Sequence, residues 1–159
     1  MPEALIALGG NVGDVPQAFD EAVAMLCGGG AVDLIARSSN YSTPAWGITD
    51  QPSFINAALK VRTALPPHEL LARGQAIELR LGRTRKPGER WGPRTLDIDL
   101  IAYDDVTIDT SELTLPHPRA LERAFVLVPL AEIAPDWRIA GIRIADALAG
   151  LDRTGIERL

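Results

Sequence analysis

Two hydrophobic periods run through the chain, one close to 3.6 and one close to 2, and they divide it into helices and strands. Glu3–Leu8 is a short apolar run ending at Gly9-Gly10, which predicts a buried strand and a turn. Asp14 is placed to cap a helix that tolerates Pro16 in its first turn, with Val15, Phe19, Val23 and Leu26 recurring at helical spacing until Gly28-Gly29-Gly30. A second strand falls within Val32–Ser42, and Ser42–Ser53, with two prolines and a glycine, reads as a long loop. Phe54–Thr63 alternates, with Ile55, Ala57, Leu59 and Val61 on one face and Phe54, Asn56, Lys60 and Arg62 on the other. Pro66-Pro67 opens a helix whose buried stripe is Leu70, Ile77 and Leu81, with Gly82 as its cap. The polar stretch from Arg83 to Thr95 is a loop, and Leu96–Tyr103 is a strand. Beyond it the pattern predicts a short element near Thr107–Leu115, a helix near Ala120–Ala134, a strand around Trp137–Ile142 and a last helix from Ile144.

The order strand, helix, strand, strand, helix, strand is the split pattern of a ferredoxin-like α+β sandwich. The expected architecture is therefore an antiparallel sheet with helices packed on it, extended at the C-terminal end. Neither an internal repeat nor a linker interrupts the 159 residues, so a single domain over 1–159 is expected.

Composition narrows the chemistry. The single Cys27 excludes an intramolecular disulfide, and two histidines without a C-x-x-C pair argue against structural zinc. No run approaches the ~18 apolar residues of a membrane span, and no basic segment leads into an apolar one at the start, so a cytoplasmic protein away from membranes is expected. The formal charge of −5 argues against a long nucleic acid as partner. That charge is uneven. Arg73, Arg80, Arg83, Arg85, Lys86, Arg90 and Arg94 face only Glu78 and Glu89 within one stretch, +5 locally, which leaves −10 on the rest. Arginine is the side chain suited to bidentate phosphate contacts, although a charge cluster alone is more often a solvated surface.

Immediately after the island comes Arg94-Thr-Leu-Asp-Ile-Asp-Leu100. In a strand, Asp97 and Asp99 project from one face about 6.6 Å apart, while Leu96, Ile98 and Leu100 point into the core. Such a pair alone is commonly just a polar strand face. Beside phosphate-seeking arginines it suits a hard cation such as Mg²⁺, which binds carboxylates together with substrate phosphates. The loop Gly9–Asp14 lacks the dinucleotide spacing because Leu8 stands where a glycine would be needed, and no phosphate-binding P-loop run is present. Phe54 and Asn56 share a strand face and could stack on a flat heterocycle and read its edge, or pack beneath the preceding loop. Trp91 fits a lid or a loop anchor, and His117, stiffened between Pro116 and Pro118, lies near Arg119 and Arg123 and could meet a phosphate. Cys27 reads as a small apolar filler.

These motifs together resemble the 6-hydroxymethyl-7,8-dihydropterin pyrophosphokinase family of folate biosynthesis over nearly the whole chain. The resemblance is carried by Arg90-Trp-Gly-Pro-Arg-Thr-Leu-Asp-Ile-Asp-Leu100, Asp50-Gln-Pro-Ser-Phe-Ile-Asn56, Glu78-Leu79 with Gly82-Arg83, and Leu115-Pro-His-Pro118 with Arg123-Ala-Phe125, in that family's order. It implies a ferredoxin-like fold and transfer of pyrophosphate from ATP to the pterin hydroxymethyl group, with release of AMP. It further implies that Asp97 and Asp99 hold two Mg²⁺ ions and that Arg83 and Arg94 assist the transferring group. Gln75, Glu78, Arg85, Trp91, Arg94, Ile98, His117 and Arg123 would line the ATP site. Thr43, Pro44, Trp46, Phe54, Asn56, Trp91, Asp97 and Phe125 would hold the pterin. Gly10–Asp14, Thr43–Ser53 and Arg83–Gly92 would be the loops that close over substrates.

The sequence departs from the family pattern at Gly10, where a serine is common, at Phe54, where some members carry tyrosine, and at Pro118, where some carry a tyrosine hydroxyl. The partners implied are the two small substrates, and a monomer is expected. A noncatalytic ferredoxin-like module, sensing nucleotides or binding RNA, is the alternative. An RNA binder would carry clustered sheet aromatics and a basic face, and a sensor would not need the Asp97/Asp99 pair.

Overall fold

The computed structural model describes residues 1–44, 53–81 and 96–159. The expected loop residues Trp46, Arg83, Arg85, Trp91 and Arg94, with Gly82, lie outside the described residues.

Strand β1 (Glu3–Gly10) is buried from Ala4 to Gly10 and leads into helix α1 (Val15–Cys27). The carboxylate of Asp14 accepts the Gln17 backbone N–H at 3.1 Å, so one of the helix's orphan donors is satisfied by the residue expected to cap it. Val15, Ala18, Phe19, Ala22 and Leu26 form its buried stripe. The helix stops at Gly28, and Gly29 and Gly30 follow at φ of 85° and 83°, a backbone that side chains with a Cβ rarely adopt.

The region expected to hold one strand holds two, β2 (Val32–Arg37) and β3 (Tyr41–Thr43). Ser38 causes the break. Its hydroxyl accepts the Ala58 N–H at 2.8 Å while its own N–H donates to the Ala58 carbonyl at 2.9 Å, so a side chain replaces a ladder partner. Both strands run along one edge of β4 (Phe54–Thr63), β2 beside Leu59–Thr63 and β3 beside Phe54–Asn56. Helix α2 (Pro67–Arg80) buries Leu70, Gly74, Ile77 and Glu78. Strand β5 (Asp97–Tyr103) then pairs with the free side of β1.

The sheet that results is wholly antiparallel, in the order β3-β4-β1-β5 with β2 also on β4. After it come the hairpin β6 (Ile108–Asp109) and β7 (Thr114–Leu115), a 3₁₀ turn at Ala120–Glu122 and helix α3 (Ala124–Ile133). The strand expected around Trp137–Ile142 is instead a hairpin, β8 (Arg138–Ile139) and β9 (Ile142–Arg143), because Ala140 and Gly141 both take positive φ and reverse the chain. Helix α4 (Ile144–Ala149) follows, and a final strand β10 (Glu157–Arg158), which periodicity did not predict, pairs with β3.

Helices cover both faces of the sheet. On one face Ala4, Ile6 and Leu8 of β1 pack with Phe19 and Leu26 of α1, Leu70 and Ile77 of α2, and Ile98 and Leu100 of β5. On the other, Leu5 and Ala7 pack with Ala58, Ile101 and with Val126, Leu127 and Leu130 of α3, and α4 contributes Ile144 and Leu148. The face of β4 expected to be polar is therefore half apolar, because α3 sits over its middle. Toward the Gly9, Asn56 and Asp97 end, a cavity replaces that cover.

Candidate active site

The cavity occupies about 810 Å³. Its floor is the sheet itself: Ala7, Leu8 and Gly9 of β1, Phe54 and Asn56 of β4, and Asp97 and Asp99 of β5. Register brings these together, since Gly9 pairs with Asn56 on one side and with Asp97 on the other, and Ala7 pairs with Asp99. Both carboxylates thus stand on the cavity face, Asp97 half-buried and Asp99 exposed. Ile98 between them points the other way, into the α1/α2 core.

Asn56 is buried and fixed in orientation. Its Oδ1 accepts the Thr43 hydroxyl at 2.6 Å and its Nδ2 donates to the Leu8 carbonyl at 3.4 Å. A Cβ at Gly9 would stand 2.9 Å from that Nδ2, so glycine is required for the amide to sit where it does. Among the described residues these are the amide's side-chain bonds, and its chemistry allows one more N–H donation and one more acceptance toward the cavity. Phe54 and Phe125 line the cavity with it, and the Arg123 guanidinium lies over the Phe125 ring, 5.7 Å from its centre.

His117, Arg119, Glu122 and Arg123 also line the cavity, so two guanidinium groups and one further carboxylate border it. His117 Nδ1 accepts the Arg119 backbone N–H at 3.2 Å, so a neutral ring carries its proton on Nε2. Burial, reinforced by the charges of Arg123 and then Arg119, pushes this imidazole below its ordinary value, so the ring is a neutral donor at pH 7. Its backbone is anchored too, with the His117 N–H donating to the Ile101 carbonyl at 2.8 Å.

Of the residues that the resemblance implied, the structure brings Thr43, Pro44, Phe54, Asn56, Asp97, Asp99, His117, Arg123 and Phe125 into this one cavity. Gln75, Glu78 and Ile98 do not line it. Gln75 is exposed on α2, and Glu78 is buried, its Oε2 accepting the Ile98 N–H at 2.7 Å. Glu78 therefore pins the backbone of β5 between the two aspartates. Gly74 lets α2 approach that point, since a Cβ there would meet Ile98 Cγ2 at 3.2 Å. Sequence reasoning did not single out Leu151, Asp152, Thr154 and Ile156 as cavity residues, and no local pattern marks them.

Residues 5–135 match the family model described as 7,8-dihydro-6-hydroxymethylpterin-pyrophosphokinase (HPPK). The chain belongs to the HPPK family. It is 48% identical over 159 residues to the 2-amino-4-hydroxy-6-hydroxymethyldihydropteridine pyrophosphokinase of Methylorubrum extorquens, covering all of this chain and 99% of that one. It is also 48% identical over 130 residues to the Bacillus subtilis protein of the same name, covering 82% of this chain and 77% of that one. Against an Arabidopsis thaliana protein described as a mitochondrial folate synthesis bifunctional protein, the identity is 43% over 82% of this chain, but only 23% of that longer protein is covered. The fold is shared with the crystal structure of an HPPK-DHPS in complex with substrates, at a TM-score of 0.72 and 14% identity, over 99% of this chain and 47% of that one. It is also shared with the wild-type HPPK-DHPS of Plasmodium falciparum, at a TM-score of 0.72 and 13% identity, over 93% of this chain and 40% of that one. The chain thus spans less than half the length of these solved structures. Membership in a family of pyrophosphokinases goes against the noncatalytic alternative.

Proposed function

We propose that this chain transfers pyrophosphate from ATP to the hydroxymethyl group of 6-hydroxymethyl-7,8-dihydropterin, giving the pterin diphosphate and AMP in folate biosynthesis. The observation that carries this reading is one cavity that brings together an amide and two aromatic rings, Asn56 with Phe54 and Phe125, an aspartate pair, Asp97 and Asp99, and the guanidinium groups of Arg119 and Arg123. The amide and rings suit a flat heterocycle with a hydrogen-bonding edge. The remaining groups suit a triphosphate.

Asp97 and Asp99 fit Mg²⁺ by donor chemistry: two hard carboxylates on one cavity wall, with no third His, Cys, Asp or Glu grouped with them among the described residues. Mg²⁺ typically takes one or two carboxylates and completes its shell with water and phosphate oxygens. Bound there, it would neutralise charge on the ATP phosphates. Phe54 stacks on the pterin and Asn56 reads its edge. Arg123 and the Nε2–H of His117 meet phosphate oxygens. The hydroxymethyl oxygen attacks the β-phosphorus and gives up its proton to solvent, a bond from that oxygen to phosphorus forms, the bond to the α,β-bridging oxygen breaks, and that oxygen leaves with AMP. Positioning and charge neutralisation supply most of the acceleration.

The order β3-β4-β1-β5, with α1 and α2 on one face, supports the ferredoxin-like reading, with residues after Tyr103 as the extension. We read residues 1–159 as one domain acting as a cytoplasmic monomer on small molecules. No helix among the described residues is long and apolar enough to cross a membrane. The test is to incubate the protein with ATP, Mg²⁺ and the reduced pterin alcohol and resolve the nucleotides. Pterin-dependent AMP is expected. ADP would mean transfer of a single phosphoryl group, and no turnover would mean a binding module.

A further inference from the structure

The cavity has one wall to which neither the signature motifs nor the family match, which ends at residue 135, gives a role. It is built by Leu151, Asp152, Thr154 and Ile156, from the segment between α4 and β10. Glu157 and Arg158 of β10 pair with Ser42 and Tyr41 of β3, and the Leu159 N–H donates to the Asn40 carbonyl at 2.9 Å. Carried one residue further, that pairing lays Ile156 alongside Thr43, whose hydroxyl holds the Asn56 amide.

The segment is preformed. The Asp152 carboxylate accepts both the Thr154 N–H at 2.9 Å and its hydroxyl at 2.6 Å, and the Ile156 N–H donates to the Arg153 carbonyl at 3.1 Å. Gly155 sits at φ +86°, and a Cβ there would stand 3.0 Å from Pro44 Cγ, so the turn is pressed against the residue beside Thr43. The apolar Ile156 thus lies on the Thr43 and Asn56 side of the cavity, Leu151 packs against the α3/α4 core beside it, and His117 and the arginines come from other elements.

We propose that Leu151–Ile156 is the side wall of the heterocycle end of the site, and that Ile156 is a positioning and specificity residue for the pterin and not for ATP. This rests on the pterin reading above. A flat ring held by stacking and by one amide still needs lateral apolar contact to fix its in-plane position. Removing methylene groups from such a pocket typically costs about tenfold or more in discrimination. The phosphate-binding groups lie on other elements and are untouched by the change.

The experiment uses the full chain with Ile156→Ala, Ile156→Val and Ile156→Thr. Pterin affinity is followed by the ring's own fluorescence, with and without a non-hydrolysable ATP analogue. ATP affinity is followed by calorimetry, and AMP formation supplies KM and kcat. Ile156→Ala is expected to raise the pterin Kd and KM about tenfold and leave the ATP Kd unchanged, with Ile156→Val restoring most of the loss. Ile156→Thr keeps the branched shape beside β10 but presents a hydroxyl, and should weaken pterin relative to Ile156→Val. Unchanged pterin affinity in Ile156→Ala, parallel loss of both ligands, or equal pterin affinity in the Val and Thr variants would overturn the inference. An unmutated protein that makes no pterin-dependent AMP overturns the underlying reading instead, so the two failures are distinguishable.

Discussion

The two faces of the central sheet are made from alternate residues of the same strands, yet they do different work. Toward α1 and α2 the face is apolar along its length, from Ala4 and Val61 at one end to Leu8 and Ile98 at the other. Toward α3 and α4 it is apolar only over its middle, at Leu5, Ala58 and Ile101, and then becomes Gly9, Asn56, Asp97 and Asp99, the floor of the cavity. In β5 the division falls between neighbours: Ile98 belongs to the fold and the aspartates beside it to the site. A period of two lets one strand serve both, provided the far helix stops short of the end.

The comparison predicts opposite consequences for adjacent substitutions. Asp99→Ala should lower AMP formation by on the order of 10³-fold with the melting temperature nearly unchanged, because an exposed cavity side chain carries chemistry and little packing. Ile98→Ala should lower stability by about 2–5 kcal/mol while the folded fraction keeps much of its activity. Denaturant unfolding beside steady-state kinetics on the two variants checks this, and similar profiles for both would break the division. Deeper on the closed face, Phe19→Ala should cost about 3–5 kcal/mol by the same measurement, since its ring is fully buried.

Smaller effects sharpen the open face. Thr43→Val removes the hydroxyl that orients Asn56 and should raise the pterin KM by roughly tenfold through a misdirected amide, with the ATP KM unchanged. His117 tests the electrostatics. Its ring is held below the ordinary 6.5, so the unfolded chain binds its proton more readily than the fold does. Its contribution is fully present above about 6.5 and is lost as pH falls from there through the folded value. His117→Gln should flatten stability across that acid window in a pH series of melting curves.

Tyr41, on the strand that carries Thr43, behaves oppositely. Burial, then its hydrogen bond to Glu132 at 2.6 Å, pushes the phenol up to about 12. Stability from this group is present below 10 and lost as pH rises from there through about 12. Tyr41→Phe should remove that alkaline dependence and cost about 1 kcal/mol at neutral pH.

The closed face was legible in the sequence because burial imposes period. Val15, Phe19 and Leu26, Leu70 and Ile77, and Leu96, Ile98 and Leu100 all lie where their spacing placed them. The aspartate pair was legible for the same reason, as polar residues alternating with core ones. What escaped was set by contacts distant in the chain. Ser38 splits a strand by lending its hydroxyl to Ala58, and β10 is two residues whose partner is more than a hundred positions earlier. Ala140 adopts a positive φ that its identity does not announce. Leu151–Ile156 is brought to the cavity by β10 at one end and by the packing of Leu151 at the other, both contacts distant in the chain from the signature motifs, so nothing local marks it as a wall. Glu78 was assigned by resemblance to the ATP site, and its bond to the Ile98 N–H, which links α2 to β5 across 20 positions, is a further contact that no local pattern announces.

The most direct test is nucleotide product analysis on Asp97→Asn beside the unmutated chain, with ATP, Mg²⁺ and the reduced pterin alcohol and with melting temperatures recorded for both. Pterin-dependent AMP is expected from the unmutated protein, with near-complete loss in Asp97→Asn at an unchanged melting temperature. AMP formed by Asp97→Asn at the unmutated rate would rule out a role for the Asp97 carboxylate in the transfer.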